Sequence, residues 1–162
     1  MSEGTTPMKL SAEAEARIDD LQERYPTKVA TLLHVLWEIQ WQKTWISTEW
    51  MEYAAARCEV SRSHVLGVVS FYTMFHTRKP GRHHVQVCRN IVCHMTGGKE
   101  IRERLENKLG LKNGGVSENG KFSFEEVECM GACSWAPMMA INETYHENLT
   151  PEKAESILDG LE

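Results

Sequence analysis

The sequence predicts an α+β protein in which an N-terminal helical bundle is followed by a small α/β sandwich. Three observations carry that reading. Apolar residues recur at helical spacing from Ser11 to Phe75, a polar Pro-Gly break spans His76 to Arg82, and beyond it the pattern turns to strand-like alternation. With 162 residues, the chain has room for one domain or two small ones, not for a large multidomain enzyme. The expected organisation is a flexible tail over 1–10, a helical bundle domain over 11–79 and an α/β domain over 80–162.

Each helix of the first half has its own start and stop. Ser11 is a good N-cap, Ile18, Leu21 and Tyr25 share a face, and Pro26 ends the helix. A second helix is expected from about Thr27 to Trp41. Its Val29, Leu32, Leu33, Val35, Leu36, Trp37 and Ile39 cover most of the circumference, as in the buried centre of a bundle. A third starts at Ser47 with Trp50, Met51, Ala54, Ala55 and Cys58 as its stripe. A fourth starts at Ser61 with Val65, Val68, Val69 and Tyr72.

In the second half, His84-Val85-Gln86-Val87 alternates and leads into Cys88. Gly97-Gly98 opens a helix carrying Ile101, Leu105 and Leu109, which Gly110 closes as a left-handed cap. Asn119-Gly120 marks a tight turn before a second strand that carries Phe122 and Phe124 and runs through Val127 to Cys129. A third strand, Met138 to Ile141, follows Pro137, and the isomer of the Ala136-Pro137 bond is left open. Thr150 and Pro151 start the last helix as N-cap and first helical residue. The order strand, helix, strand, strand, helix describes a sandwich of the thioredoxin type.

Composition excludes some functions. Eighteen basic against 23 acidic residues leave a net charge of -5, which argues against non-specific binding to nucleic acid or anionic membrane. No apolar run approaches the roughly 20 residues of a membrane-spanning helix. The first residues have no apolar core of a signal peptide, so a soluble, cytosolic-type protein is expected. No G-x-G-x-x-G, phosphate-cradling loop or nucleophile triad is found. A complete active site on this chain is therefore not expected.

The chemistry rests on cysteine. Five cysteines are present: Cys58 stands alone, and the others form two pairs, Cys88/Cys93 and Cys129/Cys133. In a reducing compartment such pairs point to metal ligation or redox chemistry rather than a disulfide framework. The C-x4-C and C-x3-C spacings match neither the dense run of a 4Fe–4S site nor the plant-type 2Fe–2S pattern. They suit a 2Fe–2S rhomb with one pair on each iron. A structural zinc site is equally compatible, although zinc ribbons favour the tighter C-x2-C. A dithiol oxidoreductase would want C-x-x-C at a helix N-terminus, which is absent. Spacing alone leaves cluster and zinc open.

Longer stretches are more specific. Val87-Cys88-Arg89-Asn90-Ile91-Val92-Cys93-His94 and Val127-Glu128-Cys129-Met130-Gly131-Ala132-Cys133-Ser134-Trp135-Ala136-Pro137 closely resemble the thioredoxin-like 2Fe–2S subunit family of NADH:quinone oxidoreductase, respiratory complex I. Val69 to Phe75 and Tyr145 to Pro151 resemble its flanking segments, so the likeness covers roughly residues 20 to 160. The resemblance implies one 2Fe–2S cluster on Cys88, Cys93, Cys129 and Cys133. It also implies a larger iron–sulfur partner subunit holding FMN and the NADH site, and assembly with the rest of a peripheral arm. The chain would then be an electron-transfer subunit, peripheral on the cytoplasmic side of the inner membrane. The equivalent subunit of an NAD-dependent hydrogenase or formate dehydrogenase is the nearest alternative; a zinc-stabilised interaction module is one from another class.

Neighbouring residues carry secondary expectations. Gly131 lets the second loop turn tightly, with backbone N–H groups available to sulfur. Glu125, Glu126 and Glu128 would lower a cluster's potential if they pointed inward, and Arg89 would oppose them; a solvated face is the commoner role of such a run. His94 is the only histidine near the site and is expected not to ligate. His34 and His64 read as packing or surface positions, and His83 and His84 have no evident catalytic partner. Trp37 and Trp50 are expected in the core, whereas Trp41, Trp45 or Trp135 suit a partner interface. Cys58 reads as a buried core thiol.

Overall fold

The computed structural model describes residues 8–161. Two compact units meet in the chain between Lys79 and Pro80.

The first unit is helical. Helix α1 (Ala12–Arg24) begins where Ser11 Oγ accepts from the N–H of Ala14 at 3.3 Å, and it buries Ala14 and Ile18. Tyr25, expected on that stripe, is 38% exposed. It caps the helix in extended conformation ahead of Pro26, and so leaves the helical face. Residues 1–7 of the expected tail lie outside the described residues. The remainder is tied down rather than frayed: Leu10 is buried in the helical core and Met8 packs against it. The N–H groups of Leu10 and Ser11 donate to Glu15 and Gln42.

The expected second helix is two elements. A 3-10 turn, Lys28–Thr31, precedes α2 (Leu32–Lys43). Val29 lies on that turn and is exposed rather than buried. The inner face of α2 also carries two polar residues, each with partners, as burial demands. Arg17 donates to both carboxylate oxygens of Glu38, at 2.7 and 2.8 Å. Gln40 donates to the Met74 carbonyl and accepts from the His76 N–H, both at 2.7 Å. Helices α3 (Thr48–Cys58) and α4 (Arg62–Phe71) start at the expected caps, Ser47 and Ser61, and Cys58 is buried.

The second unit is built on a five-stranded sheet, order β2-β3-β1-β4-β5, from β1 (His83–Cys88), β2 (Gly115–Val116), β3 (Phe122–Val127), β4 (Met139–Ile141) and β5 (Thr144–His146). The sequence predicts three of these. The additional two are short edge strands that pairing defines: β2 forms a hairpin with β3, and β5 one with β4. Strands β1 and β3 are parallel, so a crossover must join them. It runs through a short helix α5 (Ile91–Cys93), a π-turn (His94–Gly98) and α6 (Lys99–Leu109), closed by Gly110 at φ 65°. The helical segment thus starts before the expected Gly97-Gly98. Helix α7 (Pro151–Asp159) is capped by Thr150. Ile101 and Leu105 of α6 and Ala154 and Leu158 of α7 bury against Val85, Val87, Phe124 and Met139, leaving one core on one face of the sheet.

Candidate functional site

The parallel pairing of β1 with β3 assembles the site. In register, Cys88 at the end of β1 lies opposite Val127 at the end of β3, two residues before Cys129. Both cysteine loops therefore leave the same end of the sheet. The N–H of Arg89 bonds the Val127 carbonyl at 2.9 Å, and the Cys88 thiol donates to the Glu128 carbonyl at 3.4 Å.

The two pairs are positioned differently. Cys88 and Cys93 are 2% and 1% exposed and form a small apolar cluster with Ala132 and Met138. Cys93 sits in α5, where Gly98 packs on its backbone; a Cβ on Gly98 would lie 2.6 Å from the Cys93 carbonyl oxygen, so only glycine fits. Cys129 and Cys133 are exposed, with their sulfurs 3.9 Å apart. Gly131 holds their loop at φ 80°, and its N–H points to the Cys129 sulfur at 3.4 Å. Beyond the loop, the cis Ala136–Pro137 bond and hydrogen bonds from Asn148 and Leu149 to the carbonyls of Trp135 and Pro137 lead the chain into β4. The Tyr145 hydroxyl on β5 donates to the Met130 carbonyl at 3.3 Å.

The thiols sense one another. Burial, and then the adjacent Cys88 thiol, push Cys93 up to about 11, with charge on Cys88 and Cys133 adding to the rise. Cys133 is raised by its hydrogen bond with Cys129 and by charge on Cys129 and Cys88. Four thiolates at such quarters need a positive centre to coexist. Among the described residues no group of three or more His, Cys, Asp or Glu side chains is arranged to hold a metal ion. The donors instead divide into two pairs of sulfurs, each within one short loop, with a backbone N–H aimed at sulfur. That set fits a binuclear iron–sulfur group, which asks two thiolates of each iron.

The acidic run is paired rather than simply solvated. Glu126 accepts from Arg102 at 3.2 Å and Glu128 from Arg89 at 3.0 Å. Glu125 accepts from Gln86 at 3.3 Å and lies 3.1 Å from His84 Nε2. His84 Nδ1 is 2.8 Å from Ser123 Oγ, a serine–histidine–acid contact that sequence reading missed because it forms only across strands. Ser123 is buried, and the three side chains form a polar network across β1 and β3. His94 is exposed. Trp37 and Trp50 contribute to the helical core; Trp41 is 63% exposed and stacks on Trp37, and Trp135 is exposed.

Comparisons with known proteins identify a family and a fold. The model of the thioredoxin-like 2Fe-2S ferredoxin family matches residues 18–162. The E subunit of NADH-quinone oxidoreductase from Rickettsia bellii is 38% identical over 146 residues, covering 88% of this chain and 87% of the relative. The protein of that name from Mycobacterium tuberculosis is 30% identical over 155 residues, 96% of this chain and 62% of the relative. Among solved structures, an NAD+-reducing NiFe-hydrogenase in its H2-reduced state superposes with a TM-score of 0.69 at 16% identity. The match covers 78% of this chain and only 22% of the hydrogenase chain, and it speaks for the fold alone. Among the described residues no helix is long and apolar enough to cross a membrane.

Proposed function

This chain belongs to the thioredoxin-like 2Fe-2S ferredoxin family, and we propose that it is the electron-transfer subunit of an NADH:quinone oxidoreductase, holding one 2Fe–2S cluster on Cys88, Cys93, Cys129 and Cys133. The observation that carries the proposal is the β1–β3 register, which brings both cysteine loops to one end of the sheet. Such a cluster, when bound, supplies one-electron chemistry. The residues around it do the rest. Cys88, Cys93, Ala132 and Met138 keep water from one side of the site. Gly131 directs its N–H at the sulfur of Cys129. Arg89 and Arg102 offset the charge of Glu128 and Glu126. The exposed Cys129 loop is the face through which electrons enter and leave.

On this reading the donor is the FMN of a larger, NADH-binding partner subunit, in an assembly peripheral on the cytoplasmic side of the membrane. Residues 11–79 act as a helical domain that grips the partner, and exposed Trp41 is a candidate anchor. Residues 80–162 are the domain that carries the cluster. The relatives named as a subunit of NADH-quinone oxidoreductase favour this assembly over a hydrogenase or formate dehydrogenase. The test is reconstitution with the flavoprotein subunit. NADH should bleach the loaded chain only when the flavoprotein is present. Bleaching by NADH alone, or none with the flavoprotein bound, would defeat the proposal.

A further inference from the structure

We propose that in the metal-free chain Cys129 and Cys133 form a redox-closed pair: a low-molecular-weight disulfide such as glutathione disulfide joins them and shuts the site to its cluster. The second half of this statement rests on the functional reading above; the first half stands on geometry.

The two sulfurs are 3.9 Å apart and exposed, and the three residues between them include Gly131 in left-handed conformation. Joining them requires the sulfurs to approach by roughly 2 Å, within an exposed loop, to reach a bond of about 2.05 Å. The other thiols are sequestered. Cys88 ends a strand and is held by bonds from its own N–H and that of Arg89 to Met138 and Val127; Cys93 lies in a helix under Gly98; Cys58 is in the helical core. Exchange needs access to sulfur, so oxidation is directed to the exposed pair.

The step balances. One cysteine thiolate attacks a sulfur of glutathione disulfide and expels glutathione thiolate, leaving a mixed disulfide. The second cysteine attacks the protein sulfur of that bond and expels the other glutathione. Two electrons and two protons pass from the cysteines to two glutathiones. On the functional reading above, both thiolates of one iron would then be consumed, and the loop holds no other thiol.

Tryptic mapping of the full-length apo-chain, oxidised anaerobically with glutathione disulfide and then alkylated, separates the possibilities. Cys58, Cys88 and Cys93 fall on peptides 58–62, 83–89 and 90–99, whereas Cys129 and Cys133 share 122–153. The expected product is peptide 122–153 lighter by two hydrogens and unalkylated, with the other three alkylated. The oxidised chain should fail to take up iron and sulfide until dithiothreitol is added. Cross-linked peptides, glutathione adducts that never resolve, or uptake equal to that of the reduced chain would each overturn the proposal. In Cys133→Ser the reaction should stop at a stable adduct on Cys129, and an unmodified Cys129 there would count against it. If the reduced chain holds no iron and sulfide, the functional reading fails while the peptide map still decides the disulfide.

Discussion

The two cysteine loops differ in what holds them. The first grows out of regular structure: Cys88 closes a central strand, Cys93 sits in the helical turn that follows, and both are buried beside Met138. The second is an exposed loop shaped by a left-handed glycine and braced by Tyr145 from an edge strand. One pair is buried in the unit, and the other lies at its surface on a loop that buries only Ala132 beside the first. Ligand positions of similar spacing can therefore have unequal tolerance to change.

The sharpest test of that contrast is substitution at each loop. Cys93→Ala should abolish the 2Fe–2S signal, because no solvent reaches a position so buried to replace the lost ligand. Cys133→Ala should leave an altered, diminished signal, since water reaches this exposed position and can take the place of the lost ligand. Electron paramagnetic resonance of both variants after reduction reads the difference, and equal loss would break it. The glycines give the next largest effect. Gly98→Ala drives a methyl group against the Cys93 backbone and should cost about 1–3 kcal/mol in denaturant unfolding. At Gly131 a Cβ meets nothing within 4 Å but must adopt φ 80°, for about 1–2 kcal/mol and a shifted cluster spectrum.

A control lies in the helical unit. Cys58→Ser should leave the cluster spectrum unchanged and cost about 1–3 kcal/mol, because it places a hydroxyl in the apolar core beside Thr31. The smallest effect is on pH dependence. The folded apo-chain raises Cys93 from 9.0 to about 11. The neutral thiol is thus favoured in the fold, so this stabilisation is complete below about pH 9 and is lost as pH rises toward about 11. Apo-chain unfolding midpoints should fall across that window, and Cys93→Ala should flatten the slope.

Much of this is legible in the sequence because it is local. Ser11, Ser47, Ser61 and Thr150 cap the helices that their positions predict, and Gly110 closes α6. The alternating pattern before Cys88 and the strand through Val127 to Cys129 locate both loops at strand ends. Edge strands β2 and β5 escape because two or three residues have no periodicity of their own; pairing defines them. The unequal burial of the two pairs escapes for a related reason. It depends on strand register and on Gly98 meeting Cys93, neither of which spacing encodes. The pairing of Glu125, Glu126 and Glu128 with His84, Arg102 and Arg89 likewise exists only once β1, β3 and α6 are assembled.

Both loops, unequal as they are, are expected to hold one binuclear cluster. Iron, zinc and acid-labile sulfide measured together on the anaerobically purified full-length chain test it most directly. Two irons and two sulfides per chain, with a brown colour, are the expected result; one zinc per chain, without iron or sulfide, would contradict it.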